Sequence, residues 1–298
     1  MKHRHTYIAL CLGILTLALL QGCKPSTKAE DSKILMVTIE PQKYFLEALV
    51  GNHFKVECII SPGMNPESAD FTPSQMMNLD KSTAYFKVGY LGIENSLINK
   101  VAASNPAFKV IDCSDGIEST CEDHNHHEGH DHSHHGHVGG DPHTWSSVVS
   151  AKIIAENMYK GLIEIDRVNE ADYKANYDKL LSEIDKTDSI IKSYLEKAPS
   201  KAFIIYHPAL SYFAQEYGLT QYSIEHEGKN PSPAQLKELI DKAIAESIKV
   251  VFIQKEFETK NAETVAQAIG GKAIPINLLS YNWSEEMIKI ARAMALED

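Results

Sequence analysis

Eight of the chain's 14 histidines fall in one short stretch, at His124, His126, His127, His130, His132, His134, His135 and His137, interleaved with Glu128 and Asp131. Imidazole nitrogen and carboxylate oxygen together suit a divalent ion such as zinc. Gly129, Gly136, Gly139 and Gly140 run through the same stretch, and a glycine-rich run cannot hold ligands in one tight geometry. The segment 122–138 is therefore expected to be a loose accessory loop that collects metal; a His-biased disordered linker is the blander reading. Its irregular spacing, its acids and its mid-chain position argue against an engineered tag.

A different signal follows. In Asp141-Pro142-His143-Thr144-Trp145 the proline fixes its own φ and biases Asp141 toward extended backbone, so His143 stands on a stiff turn. His207 is placed alike, after the apolar run 202–206 and before Pro208. In open parallel sheets ligands bind beyond the carboxyl ends of strands, which is where His207 falls. His53 follows Gly51-Asn52 in a turn and His226 lies between Glu225 and Glu227, so both read as solvent-facing. His143 and His207 are the candidate fixed ligands.

The elements that must position them alternate. Strands are expected at 33–39, 54–60, 84–88 and 108–111, with helices at 42–50, 73–80 and 93–102 between them. Thr72 and Pro73 supply an N-cap and a first helical residue. After the His-rich loop comes a helix over 146–163. A longer one then starts near Asn169, with Tyr173, Tyr177, Leu180, Leu181, Ile184, Ile191 and Leu195 on one stripe and no glycine or proline before Pro199. At 1.5 Å per residue it would span about 40 Å, a strut across a whole molecule. Strands at 202–206, 221–224, 250–254 and 272–276 then alternate with helices at 209–217, 232–247, 261–269 and from 284, with Gly218 and Gly270 where helix-ending glycines belong. Strand and helix in alternation indicate parallel sheets flanked by helices. The fold class is α/β: one lobe over 33–165, a linking helix over 166–198 and a second lobe over 199–298.

Ahead of the first lobe, Lys2 and Arg4 precede an apolar run from Tyr7 to Leu20 that ends in Gln21-Gly22-Cys23. The run is short for a membrane span and reads as a signal peptide, residues 1–22. Cys23 would be the lipidated mature N-terminus and 23–32 a polar tether, placing the protein outside the cytoplasm on a lipid anchor. About 275 residues remain, enough for one large domain or two ordinary ones. A net charge of −11 argues against a nucleic-acid partner, which needs a basic face. Cys113 and Cys121 bracket a short loop containing Gly116 and are a candidate disulfide in an oxidising compartment, with buried thiols as the alternative.

Taken together the motifs resemble a known family, the metal-binding lipoproteins of bacterial ABC importers for zinc and manganese, the ZnuA-like group of cluster A-I solute-binding proteins. The resemblance is carried by Ser61-Pro62-Gly63-Met64-Asn65-Pro66 leading into Thr72-Pro73-Ser74-Gln75-Met76, by the His loop with Asp141 to Trp145, by His207-Pro208-Ala209 with Tyr212-Phe213 and Tyr217-Gly218-Leu219, and by Asn230 to Leu236. It implies two α/β lobes joined by one long helix and a single divalent metal bound between them, handed to a membrane permease by a monomeric receptor. His143 and His207 match two of the family's ligands. The family's usual histidine after Pro66 is replaced here by Glu67, with Asp70 at the following acidic position and Ala69 where an aromatic is usual. Glu67 becomes the third expected ligand, since zinc accepts carboxylate oxygen. The fourth is sought after the strand 250–254, where Glu256 is preferred to Glu258. The two imidazoles favour zinc, while two carboxylates would move the site toward manganese. No reaction is expected. The alternatives are a manganese receptor of the same family and, from a different class, an exported zinc metallohydrolase, for which no His-Glu-x-x-His spacing exists in the chain.

Overall fold

The computed structural model describes residues 33–120, 140–225, 228–257 and 259–297. The expected signal peptide, Cys23 and the tether lie outside these residues, as do the His-rich loop 122–138, Cys121, His226 and Glu258.

The first half of the described chain runs β1 (Ile34–Val37), α1 (Glu40–Val50), β2 (Lys55–Cys58), α2 (Pro73–Lys81), β3 (Ala84–Lys87), α3 (Gly92–Ser104) and β4 (Lys109–Asp112). α4 (Val148–Ile165) and α5 (Glu170–Leu195) follow. The second half runs β5 (Ala202–Ile205), α6 (Ser211–Tyr217), β6 (Thr220–Ser223), α7 (Pro233–Ala245), β7 (Val250–Gln254), α8 (Lys260–Ala268), β8 (Lys272–Ile276) and α9 (Trp283–Met294). Each half makes a parallel four-stranded sheet, ordered β2-β1-β3-β4 and β6-β5-β7-β8.

Strand alternation divides the core. In β1 and β3, Leu35, Val37, Ala84 and Phe86 face inward, while Met36 and Tyr85 join Leu79, Leu97 and Val101 on the outer face under α2 and α3. In β5 and β7, Phe203, Ile205, Val250 and Phe252 face inward, and Ile204, Val251 and Ile253 pack outward with Ala243 and Val265 of α7 and α8. Both inward faces feed one continuous core through Phe45, Ile154, Leu180, Ile191, Trp283 and Ile290. The long helix α5 packs against α1, α4 and α9, and its buried residues Leu180 and Ile191 lie in the core that both sheets share.

Local signals read from the sequence hold at the helix ends. Thr72 caps α2 with Pro73 in the first turn, and Gln75 accepts from the Thr72 amide at 2.8 Å. Ser232 and Gln235 repeat the device on α7. Gly218 ends α6 with φ +62° and Gly270 follows α8 with φ +58°. The expected helix 146–163 instead starts at Val148, because Thr144–Ser146 form a 3-10 turn and the Ser147 hydroxyl caps α4 by accepting from the Ser150 amide at 3.1 Å. The expected helix 209–217 begins later, at Ser211: Pro208 holds the preceding residues in a turn closed by Ala209 N–H donating to the His207 carbonyl at 2.8 Å.

Candidate metal centre

His207 sits just past the end of β5, at the centre of its sheet. Its neighbours are set by strand pairing. Ile205 pairs with Ser223 of β6 and with Phe252 of β7; two residues further on, the same row contains Glu225, His207 and Gln254. The ladder continues that far, with Glu225 N–H donating to the Tyr206 carbonyl at 3.0 Å. Gln254 grips His207 at both backbone groups, accepting from its amide at 3.3 Å and donating to its carbonyl at 2.6 Å. Phe257 stacks on the ring, centroids 4.8 Å apart and planes 14° apart.

His143 reaches the same place from the segment ahead of α4. Asp141 Oδ1 accepts from the His143 amide at 2.9 Å and lies 2.8 Å from Nδ1 of its ring. The opposite sheet builds the position after β1 differently. There Thr38 is bonded to buried Gln42, Tyr85 and Glu94, and besides His143 this lobe contributes a residue of the β2–α2 loop. In that loop Glu67 N–H donates to Asn65 Oδ1 at 2.9 Å.

The three side chains meet. Glu67 Oε1 lies 3.3 Å from His143 Nε2 and 3.3 Å from His207 Nε2. All three ligand atoms fall within 4.8 Å of one another, and the imidazole centroids are 5.2 Å apart. A zinc tetrahedron with arms of about 2.0–2.1 Å has edges of roughly 3.3 Å, and the two Glu67–imidazole separations have that length. Beside the triad is a cavity of about 30 Å³ walled in part by Trp145, Phe257, Leu278 and Leu279, enough for an ion and little more than one water.

Burial opposes a charge on His207, but Glu225 and Glu67 outweigh it and push the ring up to about 9 without metal. Asp141 goes the other way: burial works against its ionised form, yet the bonds from His143 and Thr120 hold its carboxyl below the usual range. Two imidazoles thus face three carboxylates, a surplus of negative charge that a divalent cation offsets.

Of the residues expected from sequence, Glu67, His143 and His207 converge. Glu256 lines the cavity, with its carboxyl raised chiefly by burial, but among the described residues it does not join the converging group. Asp70 is exposed. Cys113 is fully buried and its thiol is pushed well up by burial; its expected partner Cys121 is outside the described residues. Sequence reasoning missed Asp141 and Glu225 as partners of the imidazoles. The two-residue spacing in Asp141-Pro142-His143 carried the first; the second emerges only once β5 and β6 are paired.

A family model described as "Zinc-uptake complex component A periplasmic" (ZnuA) matches residues 35–294. The chain is similar to the high-affinity zinc uptake system protein ZnuA of Bacillus subtilis strain 168, 28% identical over 291 residues that cover 95% of this chain and 90% of that protein. A crystal structure of ZnuA is 31% identical, superposes with a TM-score of 0.80 and covers 90% of this chain and 99% of that one. A ZnuA deletion mutant with zinc bound is 32% identical at a TM-score of 0.77, covering 89% and 97%.

Proposed function

Because the chain belongs to the ZnuA family of zinc-uptake proteins, we propose that it is the extracytoplasmic receptor of an ABC importer, capturing one zinc ion between its lobes and passing it to a membrane permease. One observation carries this reading: a single carboxylate oxygen, Glu67 Oε1, stands 3.3 Å from the Nε2 atoms of two buried histidines drawn from separate segments. Glu67, His143 and His207 are the ligands. Glu256 is the candidate for the fourth position, directly or through the water that the cavity admits.

The His-rich loop 122–138 is an accessory collector feeding this site. Residues 1–22 direct export, and Cys23 carries the lipid that holds the receptor, a monomer, at the membrane. Among the described residues no helix is long and apolar enough to cross a bilayer.

Transport without a reaction is favoured by space. A His₂Glu set is also used by hydrolytic zinc, which keeps an open position for substrate. Sites for organic substrates occupy roughly 300–1,000 Å³, and the cavity here is about 30 Å³. Competitive titration with zinc and manganese, read by native mass spectrometry on the chain lacking 122–138, tests the proposal. One tight zinc per chain, lost in His143→Ala and in His207→Ala, is expected. Displacement of zinc by equimolar manganese, or zinc-dependent hydrolysis in an esterase and peptidase screen, would overturn it.

A further inference from the structure

Neither metal-facing imidazole stands alone; each has a carboxylate on its far nitrogen. Asp141 Oδ1 is 2.8 Å from His143 Nδ1, and both oxygens of Glu225 are 3.3 Å from His207 Nδ1. Both carboxylates are largely buried, with side chains 12% and 11% exposed. On the strength of the site described above, we propose that Asp141 and Glu225 are positioning residues for metal capture: each takes the Nδ1–H of one ring, which leaves Nε2 as the donor atom and aims it at the point faced by Glu67.

The geometry constrains the tautomer. An ionised carboxylate only accepts hydrogen bonds, so a ring nitrogen beside one carries the proton. Each Nδ1 faces Asp141 or Glu225, while the Nε2 atoms lie 3.3 Å from Glu67 Oε1; an ion at the point Glu67 faces displaces the proton from Nε2, and the Nδ1–H groups stay on the outer carboxylates. Buried carboxylates on the far nitrogen also make the imidazoles better donors.

The two supports differ in construction. Asp141 is a joint of five bonds. Besides the two from His143, Oδ2 accepts from the Thr120 hydroxyl at 2.9 Å, its amide donates to Ser119 Oγ at 2.8 Å, and its carbonyl accepts from the Tyr212 hydroxyl of α6 at 2.7 Å. His143 is thereby tied to residues on both sides of the His-rich segment and to the second lobe. Glu225 is held by the sheet ladder, and its carboxylate spans its ring symmetrically at the longer 3.3 Å.

The test uses Glu225→Gln, Glu225→Ala, Asp141→Asn and Asp141→Ala in the full chain, with His143→Ala and His207→Ala as references. Zinc affinity by chelator competition should fall about 10–100-fold in the alanine variants, the range for outer carboxylates on metal-bound histidines. It should fall less in Glu225→Gln and Asp141→Asn, which keep an acceptor. Nitrogen-15 NMR of the zinc-loaded protein should show Nε2 metallated and Nδ1 protonated on both rings, with the His207 Nδ1–H lost to exchange in Glu225→Ala while that of His143 persists. Should Asp141→Ala loosen the fold, Glu225→Ala still decides, because the Glu225 backbone bond to Tyr206 survives. Zinc affinity within twofold of the parent in Glu225→Ala, or metal on Nδ1, would overturn the positioning role. Unchanged affinity in His143→Ala and His207→Ala would instead overturn the site itself.

Discussion

Glu67 is where this chain departs from the histidine usual in the family it resembles, and its removal tests the centre most directly. Its oxygen occupies one edge-sharing corner of the triad, 3.3 Å from both Nε2 atoms. In Glu67→Ala the ion keeps two protein nitrogens and gains water, and loses the only carboxylate that faces it in the converging group. Loss of a group that merely orients a metal-bound histidine costs about 10–100-fold in affinity, and loss of a ligand must cost at least as much. The expected increase in zinc Kd is at least about tenfold, ~1.4 kcal/mol, and nearer hundredfold, ~2.7 kcal/mol, if water compensates poorly. Glu67→Gln keeps an oxygen in place without its charge and should fall between. Glu67→His should restore zinc binding and move preference away from manganese, because imidazole is the softer ligand. The assay is competition against a chromophoric chelator with the chain lacking 122–138, with urea unfolding of each metal-free variant as the control for fold. Zinc affinity unchanged in Glu67→Ala, with unfolding unaltered, would refute the assignment and leave Glu256 as the next carboxylate to remove.

Deleting 122–138 from the parent chain should abolish weak additional zinc equivalents and leave one tight site in isothermal titration; loss of the tight site would place it in the loop. His207 is raised to about 9 without metal and must be neutral to ligate. Zinc affinity should therefore fall up to about tenfold per pH unit below about 9, and a flat profile would exclude ligation by the His207 imidazole. The same shift acts on the metal-free fold with the opposite sense: the stability it contributes is fully present below about 6.5 and is lost as the pH rises through about 9, which urea midpoints measured across that range will show. Trp283 Nε1–H donates to the buried Trp145 carbonyl at 2.7 Å, so Trp283→Phe should cost about 1–3 kcal/mol by leaving that group unpaired; an unchanged urea midpoint would show that the bond contributes nothing.

The alternation of strands and helices, the capped start of α2 and the long stripe of α5 were legible because each is a local pattern. His143 and His207 were legible for a related reason, each standing against a proline at an element's end. Glu67 was legible through resemblance alone, since an exposed-looking glutamate in a proline-rich loop has no local mark of a ligand. Glu225 was not legible: its role depends on β5 and β6 lying side by side in a given register, and the sequence around it suggested a solvated run of acids. Gln254 was hidden in the same way, as a polar residue that ends an apolar strand. The start of α4 was misplaced because the Ser147 cap competes with Ser146 as a helix start, and Glu216 of α6 reinforces the later start by accepting from Ser147 Oγ at 2.6 Å and Val148 N–H at 2.8 Å.

Glu67 and His207, which meet at one point, are 140 residues apart along the chain. Closing so long a loop comes late in folding, because its entropy must be overcome before any contact offsets it. Zinc therefore has no preorganised place to bind until both sheets are formed and docked. The ion acts on the departure from the native state, not on the approach to it: it should slow unfolding and leave the folding rate unchanged, as expected of contacts absent from the transition state. At free zinc about a hundredfold above Kd the added stability is about 2.7 kcal/mol, carried entirely in the unfolding rate. A loaded receptor would outlast an empty one in a protease-rich surrounding, so cargo would also set the lifetime of its carrier.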